Sequence, residues 1–313
     1  MRILVTGGAG FIGSQVADRF VALGHDVAVL DNLSTGFRSF VPPQARFYPV
    51  DLTDAAAVEG CFAEFRPEIV DHHAAQIDVR KSVSDPVFDA RVNILGGIEL
   101  LLACSRHAVR KFIYASTGGA VYGEGRSLPA SETHPVNPEA PYGASKHALE
   151  HYLYLWKLLH GLDYTVLRYP NVFGPRQNPH GEAGVNAIFI GLMLEGKRPR
   201  VFGTGEQLRD YLYVGDVVEA NQAALAAGSG EMVNLGTGVG TSVNQIFQEL
   251  KAILSFSGEA IYEAARPGEV QRIYLDASRA KQVLGWQPRM SFRDGLKRTV
   301  EWTRQAKMVS PTG

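Results

Sequence analysis

The sequence predicts an α/β protein: a doubly wound parallel sheet over residues 1–170, then a second, smaller mixed α/β domain over 171–313. Three observations carry that expectation. Short β-branched runs alternate with longer helical ones through the first half, the pattern of a parallel sheet covered on both faces. A glycine-rich turn joins the first such run to the first helical one. Past Arg168 the chain becomes rich in Pro, Gly and Asn, and the alternation is lost.

Taken in order, the strands are "RILVT" (2–6), "DVAVL" (26–30), "ARFYPV" (45–50), "EIVDHH" (68–73), "KFIYAS" (111–116) and "YTVLRY" (164–169). Between them "GSQVADRFVALG", "DAAAVEGCFAEF", "NILGGIELLLACSRHA" and "SKHALEHYLYLWKLLHG" read as helices. The second half mixes short strands ("RVFG", "MVNLG", "AIYEAA") with helices, the last near "FRDGLKRTVEWTRQA". The segment at about 210–235 is able to return to the first sheet, and ligands belong outside the carboxyl ends of the strands.

The 313 residues are 45% hydrophobic and 20% charged, with a formal net charge of -1. Such a chain has no field to hold nucleic acid or an anionic membrane. Its two cysteines, Cys61 and Cys104, fall in apolar helical runs and read as buried free thiols. No apolar run is long enough to span a bilayer, and the first motif begins at Gly7, so a cytoplasmic protein without a leader is expected.

"VTGGAGFIG" sets Gly7, Gly10 and Gly13 between the first strand and the first helix, with Phe11 and Ile12 among them as further cofactor contacts. Glycines allow the tight turn and close approach of a pyrophosphate, and the helix N-terminus offers unpaired amides. The reading is a dinucleotide site in a Rossmann fold. Asp31 ends the second strand, where a carboxylate accepts from a ribose and repels a 2′-phosphate, favouring NAD over NADP. Asn32 follows it. Asp51 and Leu52 either flank the adenine or begin the next helix as a cap.

"PYGASKHALEH" places Tyr142 and Lys146 four apart on one helix face. A lysine ammonium and the positive nicotinamide ring both favour the tyrosinate, and bringing a phenol from about 10 towards neutrality needs roughly 4 kcal/mol. Tyr142 is then the base and Lys146 its support, also reaching ribose hydroxyls. The strand end "YASTGGAVYG" supplies a third polar group, Ser116 or Thr117.

Together "TGGAGFIG", "YGASK" and that strand-end hydroxyl resemble the extended short-chain dehydrogenase/reductase family over essentially the full length. Family members that eliminate water or decarboxylate carry carboxylates at the strand end, whereas this chain has Thr117-Gly118-Gly119. The resemblance therefore implies NAD-dependent epimerisation of a UDP-hexose at carbon 4 through a 4-keto sugar. The family stretch is one residue shorter. Aligned from the strand the catalytic hydroxyl is Thr117, with a glycine looping out behind it; aligned from "VYG" it falls on Gly118.

The resemblance further implies that Asn171 lies beside the sugar diphosphate, with Asn186 and Ala187 at a helix start nearby. Phe202 is expected at the uracil, Arg209 and Arg266 at the diphosphate, and Glu269 at the uridine ribose. Two arginines on one diphosphate suit their forked donors. Ile273 matches a position that gates N-acetyl sugars, and Ala74, after His72 and His73, lies beneath the nicotinamide. The two histidines are expected to pack rather than bind metal, and Gln76 and Asp78 to face the sugar. Related enzymes pair their equivalent helices in a homodimer. The alternatives are a 4-epimerase for UDP-N-acetylhexosamine or UDP-glucuronate, and a net nucleotide-sugar oxidoreductase.

Overall fold

The computed structural model describes residues 1–179, 184–265 and 270–309. Its main sheet contains β1 (Arg2–Thr6), β2 (Asp26–Leu30), β3 (Arg46–Tyr48), β4 (Ile69–His72), β5 (Lys111–Thr117), β6 (Asp163–Tyr169) and a seventh strand, Glu231–Asn234. From one edge the order is Glu231–Asn234, β6, β5, β4, β1, β2, β3, parallel throughout. The chain winds outward in both directions from β1, so β1 and β4 flank the point where strand order reverses. That crevice is where such sheets bind ligands.

Strand alternation divides the core into two layers. Ile3 and Val5 face α1 (Phe11–Ala22) and the helix Val214–Ala224, while Leu4, Val70 and Phe112 face the helices Ala55–Phe65, Gly96–Arg106 and Pro141–His160. A third cluster, with Phe173, Phe189, Ile190, Val201, Phe247 and Leu296, gathers only residues beyond 170. The second half is nevertheless not wholly separate. Ala280, Leu284 and Trp286 join the first layer, and Glu231–Asn234 pairs with β6.

Three local outcomes differ from the sequence reading. The helix carrying Tyr142 starts at Pro141, because proline's fixed φ suits the first helical position and its missing N–H costs nothing there. Gly118-Gly119 does not loop out: Gly118–Val121 forms a helical turn directly after β5. A side chain at 118 would collide with Leu275, which accounts for a glycine there. The run before Gly96 is also more structured than expected, with Pro86–Ala90 capped by Asp85 and a π-helical turn at Arg91–Leu95.

Candidate active site

The glycine turn sits in the β1–β4 crevice. Gly7 has φ +66, and a Cβ there would come within 2.6 Å of the Ala74 nitrogen. This position admits only glycine, for both backbone and space. A Cβ on Gly13 would strike the Gly7 carbonyl. Gly10 is the N-cap residue of α1, and among the described residues no side chain caps that helix, so its first amides lack intrahelical partners and suit an anion. Asp31 is buried, and its carboxylate accepts from the Ala9 amide at 3.0 Å and the Leu33 amide at 2.8 Å. The acid that sequence assigns to a ribose thus also fixes the turn. Asn32 donates to Asp51 at 2.7 Å, Leu52 is buried, and Ala74 donates to the Thr6 hydroxyl. The residues present suit a pyrophosphate-bearing dinucleotide.

At the end of β5 the two hydroxyls part company. Ser116 points into the core and donates to Glu150 at 2.6 Å. Thr117 caps nothing, and its hydroxyl acts on the other side, pulling the Tyr142 phenol down against its burial. Ser116→Ala is therefore expected to lower stability by about 1–3 kcal/mol with little loss of turnover. Thr117→Val is expected to lower kcat about 100-fold at nearly unchanged stability. Parallel thermal unfolding and steady-state assays check the pair.

Burial pushes Tyr142 up to about 12, the charge of Asp89 adds to the rise, and the Thr117 hydrogen bond opposes it. The protein's own residues thus hold the phenol up. Lys146 is buried, which brings its ammonium down to about 7 against the opposing pull of Glu150 and Asp89. Its Nζ lies 4.4 Å from the centroid of the Tyr114 ring. Beneath this pair Glu150 forms a forked ion pair with Arg168, at 2.9 and 2.6 Å. Arg168 in turn donates to the Tyr122 hydroxyl, which donates to Asn234 on the seventh strand.

A narrow cleft lined by Gly119, Asn171, Arg209, Asp210, Ile273 and Leu275, closed down so far that it encloses no water-sized volume, adjoins the Thr117 end of β5. Gly119 links them: its Cβ position lies 3.5 Å from the Asn171 Oδ1 and 3.9 Å from the Thr117 Oγ1. The fold thus brings Asn171, Arg209 and Ile273 together beside Thr117. Arg209 donates to the Leu208 and Val270 carbonyls, at 3.0 and 2.6 Å, which fixes its guanidinium. Asn186 is buried, its side-chain oxygen without a partner among the described residues, Ala187 is buried beside it, and Phe202 is half-buried. Arg266 and Glu269 lie outside the described residues.

Gln76 and Asp78 are spent elsewhere. The Gln76 amide donates to Asp89 and to the Asp78 carbonyl, and the Asp78 side chain caps the helix Val79–Ser84. Sequence reading missed three participants: Asp89, Asn93 and Asp210. Asp210 accepts from the Thr237, Gly238 and Leu275 amides and anchors the strand beside Arg209. For Asp89 and Asn93 the available signal was two polar residues at helical spacing within a buried stripe.

A model of the NAD dependent epimerase/dehydratase family matches residues 3–236. The chain is 44% identical over 310 residues to the UDP-glucose 4-epimerase of Mycolicibacterium smegmatis, covering 97% of this chain and 99% of that one. It is similar to the solved UDP-glucose 4-epimerase of Thermotoga maritima with UDP-glucose: 48% identity and a TM-score of 0.96, over 98% of this chain and 99% of that one. The solved UDP-glucose 4-epimerase of Thermus thermophilus, in complex with NAD, gives 46% identity and a TM-score of 0.94, over 98% of this chain and all of that one.

Proposed function

The chain belongs to the NAD dependent epimerase/dehydratase family, and we propose that it inverts carbon 4 of a UDP-hexose, interconverting UDP-galactose and UDP-glucose with NAD as cofactor. It is an isomerase like the epimerases it matches over nearly its whole length. The observation that carries the reading is the end of β5. There Thr117 meets Tyr142, and Gly118-Gly119 follow where an eliminating enzyme needs carboxylates. Such a site moves a proton at one hydroxyl and has no acid or base for the neighbouring carbons.

In this mechanism Thr117 orients the 4-hydroxyl and Tyr142 takes its proton. Bound NAD supplies the hydride acceptor and donor at carbon 4, held by Gly7, Gly10 and the first amides of α1, with Asp31 and Lys146 at its riboses. Tyr142 returns the proton after the keto sugar has turned over. Asn171, Arg209 and Arg266 grip the diphosphate, Glu269 meets the uridine ribose, and Asn186, Ala187 and Phe202 enclose the nucleotide. Strong holding at the diphosphate with few polar contacts to the hexose permits that rotation. A domain boundary near residue 170 sets the two binding halves on either side of the cleft.

Incubation with UDP-galactose without added NAD is expected to give an equilibrium mixture with UDP-glucose, read by chromatography. No conversion even with NAD supplied would overturn the reading. Conversion of UDP-GlcNAc or UDP-glucuronate alone would transfer it to another sugar.

The working unit we propose is a homodimer. Leu95, Leu102, Tyr154, Leu155, Leu158 and Leu159 are exposed on the adjacent helical segments Arg91–Arg106 and Pro141–His160. A contiguous apolar face of this kind suits a second copy of itself. Leu158→Glu is expected to give monomers in sedimentation equilibrium. Among the described residues no helix is long and apolar enough to cross a membrane. The two cysteines are free and buried, which fits the cytoplasmic location we propose.

A further inference from the structure

The helix Pro141–His160 carries a second constellation outside the site already described: His147 and His151, four apart on one face. The His147 side chain is 26% exposed, and His151 is exposed. Their rings meet edge to face, with centroids 4.6 Å apart and an interplanar angle of 71°. The two Nε2 atoms stand 3.1 Å apart. Between the two residues in the chain lies Glu150, whose Oε2 is 2.7 Å from His147 Nδ1.

Glu150 fixes which nitrogen of His147 is free. Against its burial, the Arg168 and His147 hydrogen bonds hold its carboxyl at about 2, so it is ionised and only accepts. His147 therefore donates Nδ1–H, and the neutral ring keeps its lone pair on Nε2, the atom facing His151. A metal-binding histidine is oriented in the same way, its other ring nitrogen donating to a carboxylate. The spacing fits as well. Two imidazole nitrogens at ordinary zinc distances and a tetrahedral angle lie about 3.3 Å apart, and these stand at 3.1 Å. As a hydrogen bond, the contact has His151 donate Nε2–H to His147. Moving that proton to its own Nδ1 frees a second lone pair beside the first.

We propose that His147 and His151 form a binding site for a divalent transition metal of the zinc class, with Glu150 orienting the first ligand. Imidazole suits such ions. The stretch "HALEH" has the two ligands and the acid of a zinc-peptidase helix, H-x-x-E-H. Here the acid is not free to act as a base, because Ser116 and Arg168 occupy it from the core side. The pair thus holds a metal without the hydrolytic partner. Among the described residues no third His, Cys, Asp or Glu completes the site, which leaves the other positions to water. Coordination ties together successive turns of the helix that bears Tyr142 and Lys146. The pair also continues the stripe of Tyr154 and Leu158, on the face proposed above for the homodimer.

Zn2+ is titrated calorimetrically into the full-length protein after chelator treatment and desalting. Saturation at one ion per chain is expected, with affinity reduced at least about tenfold in His151→Ala. His160→Ala, an exposed histidine of the same helix outside the pair, is expected to bind as the parent does. The same titration in Leu158→Glu opens the pair to solvent should a second copy cover it. Saturable binding in either protein supports the site, and its absence from both overturns it. A loss no greater in His151→Ala than in His160→Ala overturns it equally. Should His151→Ala not fold, the unmutated protein decides. In 15N-histidine spectra the His147 Nε2 resonance, assigned by its loss in His147→Asn, must shift on adding Zn2+, and an unmoved resonance overturns the proposal.

Discussion

Tyr142→Phe is expected to lower kcat roughly 1000-fold, with KM for the nucleotide sugar changed only a few-fold. In the proposed mechanism the phenol hydroxyl moves the proton, and phenylalanine keeps the ring that fills the site. Residual NAD binding separates loss of chemistry from loss of the cofactor site, because the glycine turn at Gly7 is untouched. With Tyr142 pushed up to about 12, the protein without cofactor holds it as a neutral phenol at pH 7. A positive ring beside it then favours the phenolate. The absorbance change near 295 nm on adding NAD at fixed pH, lost in Tyr142→Phe, checks that sign.

Arg168→Met is expected to destabilise the protein by about 3–5 kcal/mol, because it leaves the Glu150 carboxylate buried and uncompensated. Burial alone would raise Glu150; the Arg168 and His147 hydrogen bonds instead hold it at about 2, against an ordinary 4.5. A carboxyl lower in the folded than in the unfolded chain stabilises above the unfolded value and loses that contribution as pH falls towards the folded one. The parent should therefore lose about 3 kcal/mol from this group between roughly pH 4.5 and 2. In Arg168→Met that acid-limb loss should shrink, which urea unfolding at stepped pH would measure.

Sequence periodicity made the sheet legible because a strand buried on both faces must be almost wholly apolar, as Ile3-Leu4-Val5 and Phe112-Ile113-Tyr114 are. The dinucleotide turn was legible for an equally local reason: only glycine tolerates the φ of Gly7 and the approach of Ala74. Tyr142 and Lys146 share one helix face at a spacing that can be counted. Ser116 and Thr117 are separated by strand alternation: Ser116 donates to Glu150, and Thr117 acts on Tyr142. What escaped reading were interactions with no local signature. Glu150 meets Arg168 across a helix–sheet interface, and Asp89 meets Gln76 and Asn93 from separate turns. A charged residue in an apolar run shows that a partner must exist, but not where it stands in the chain. The helical turn at Gly118–Val121 escaped because paired glycines suggest freedom, whereas here Leu275 leaves no room for a side chain.

The seventh strand has a consequence for how the molecule is made. As the chain leaves the ribosome, all of β1 to β6 is available by residue 169, yet the outer edge of β6 has no partner until residues 231–234 emerge. Until then the nascent sheet presents an open apolar edge, the feature most prone to pairing with a neighbouring chain. The layer over that side is also incomplete until Ala280, Leu284 and Trp286 arrive. A polypeptide halted at residue 170 would hold most of the cofactor cradle and all three of Thr117, Tyr142 and Lys146. It would also be a template for aggregation, and the second half of the chain is thereby required to shield the sheet that the first half builds.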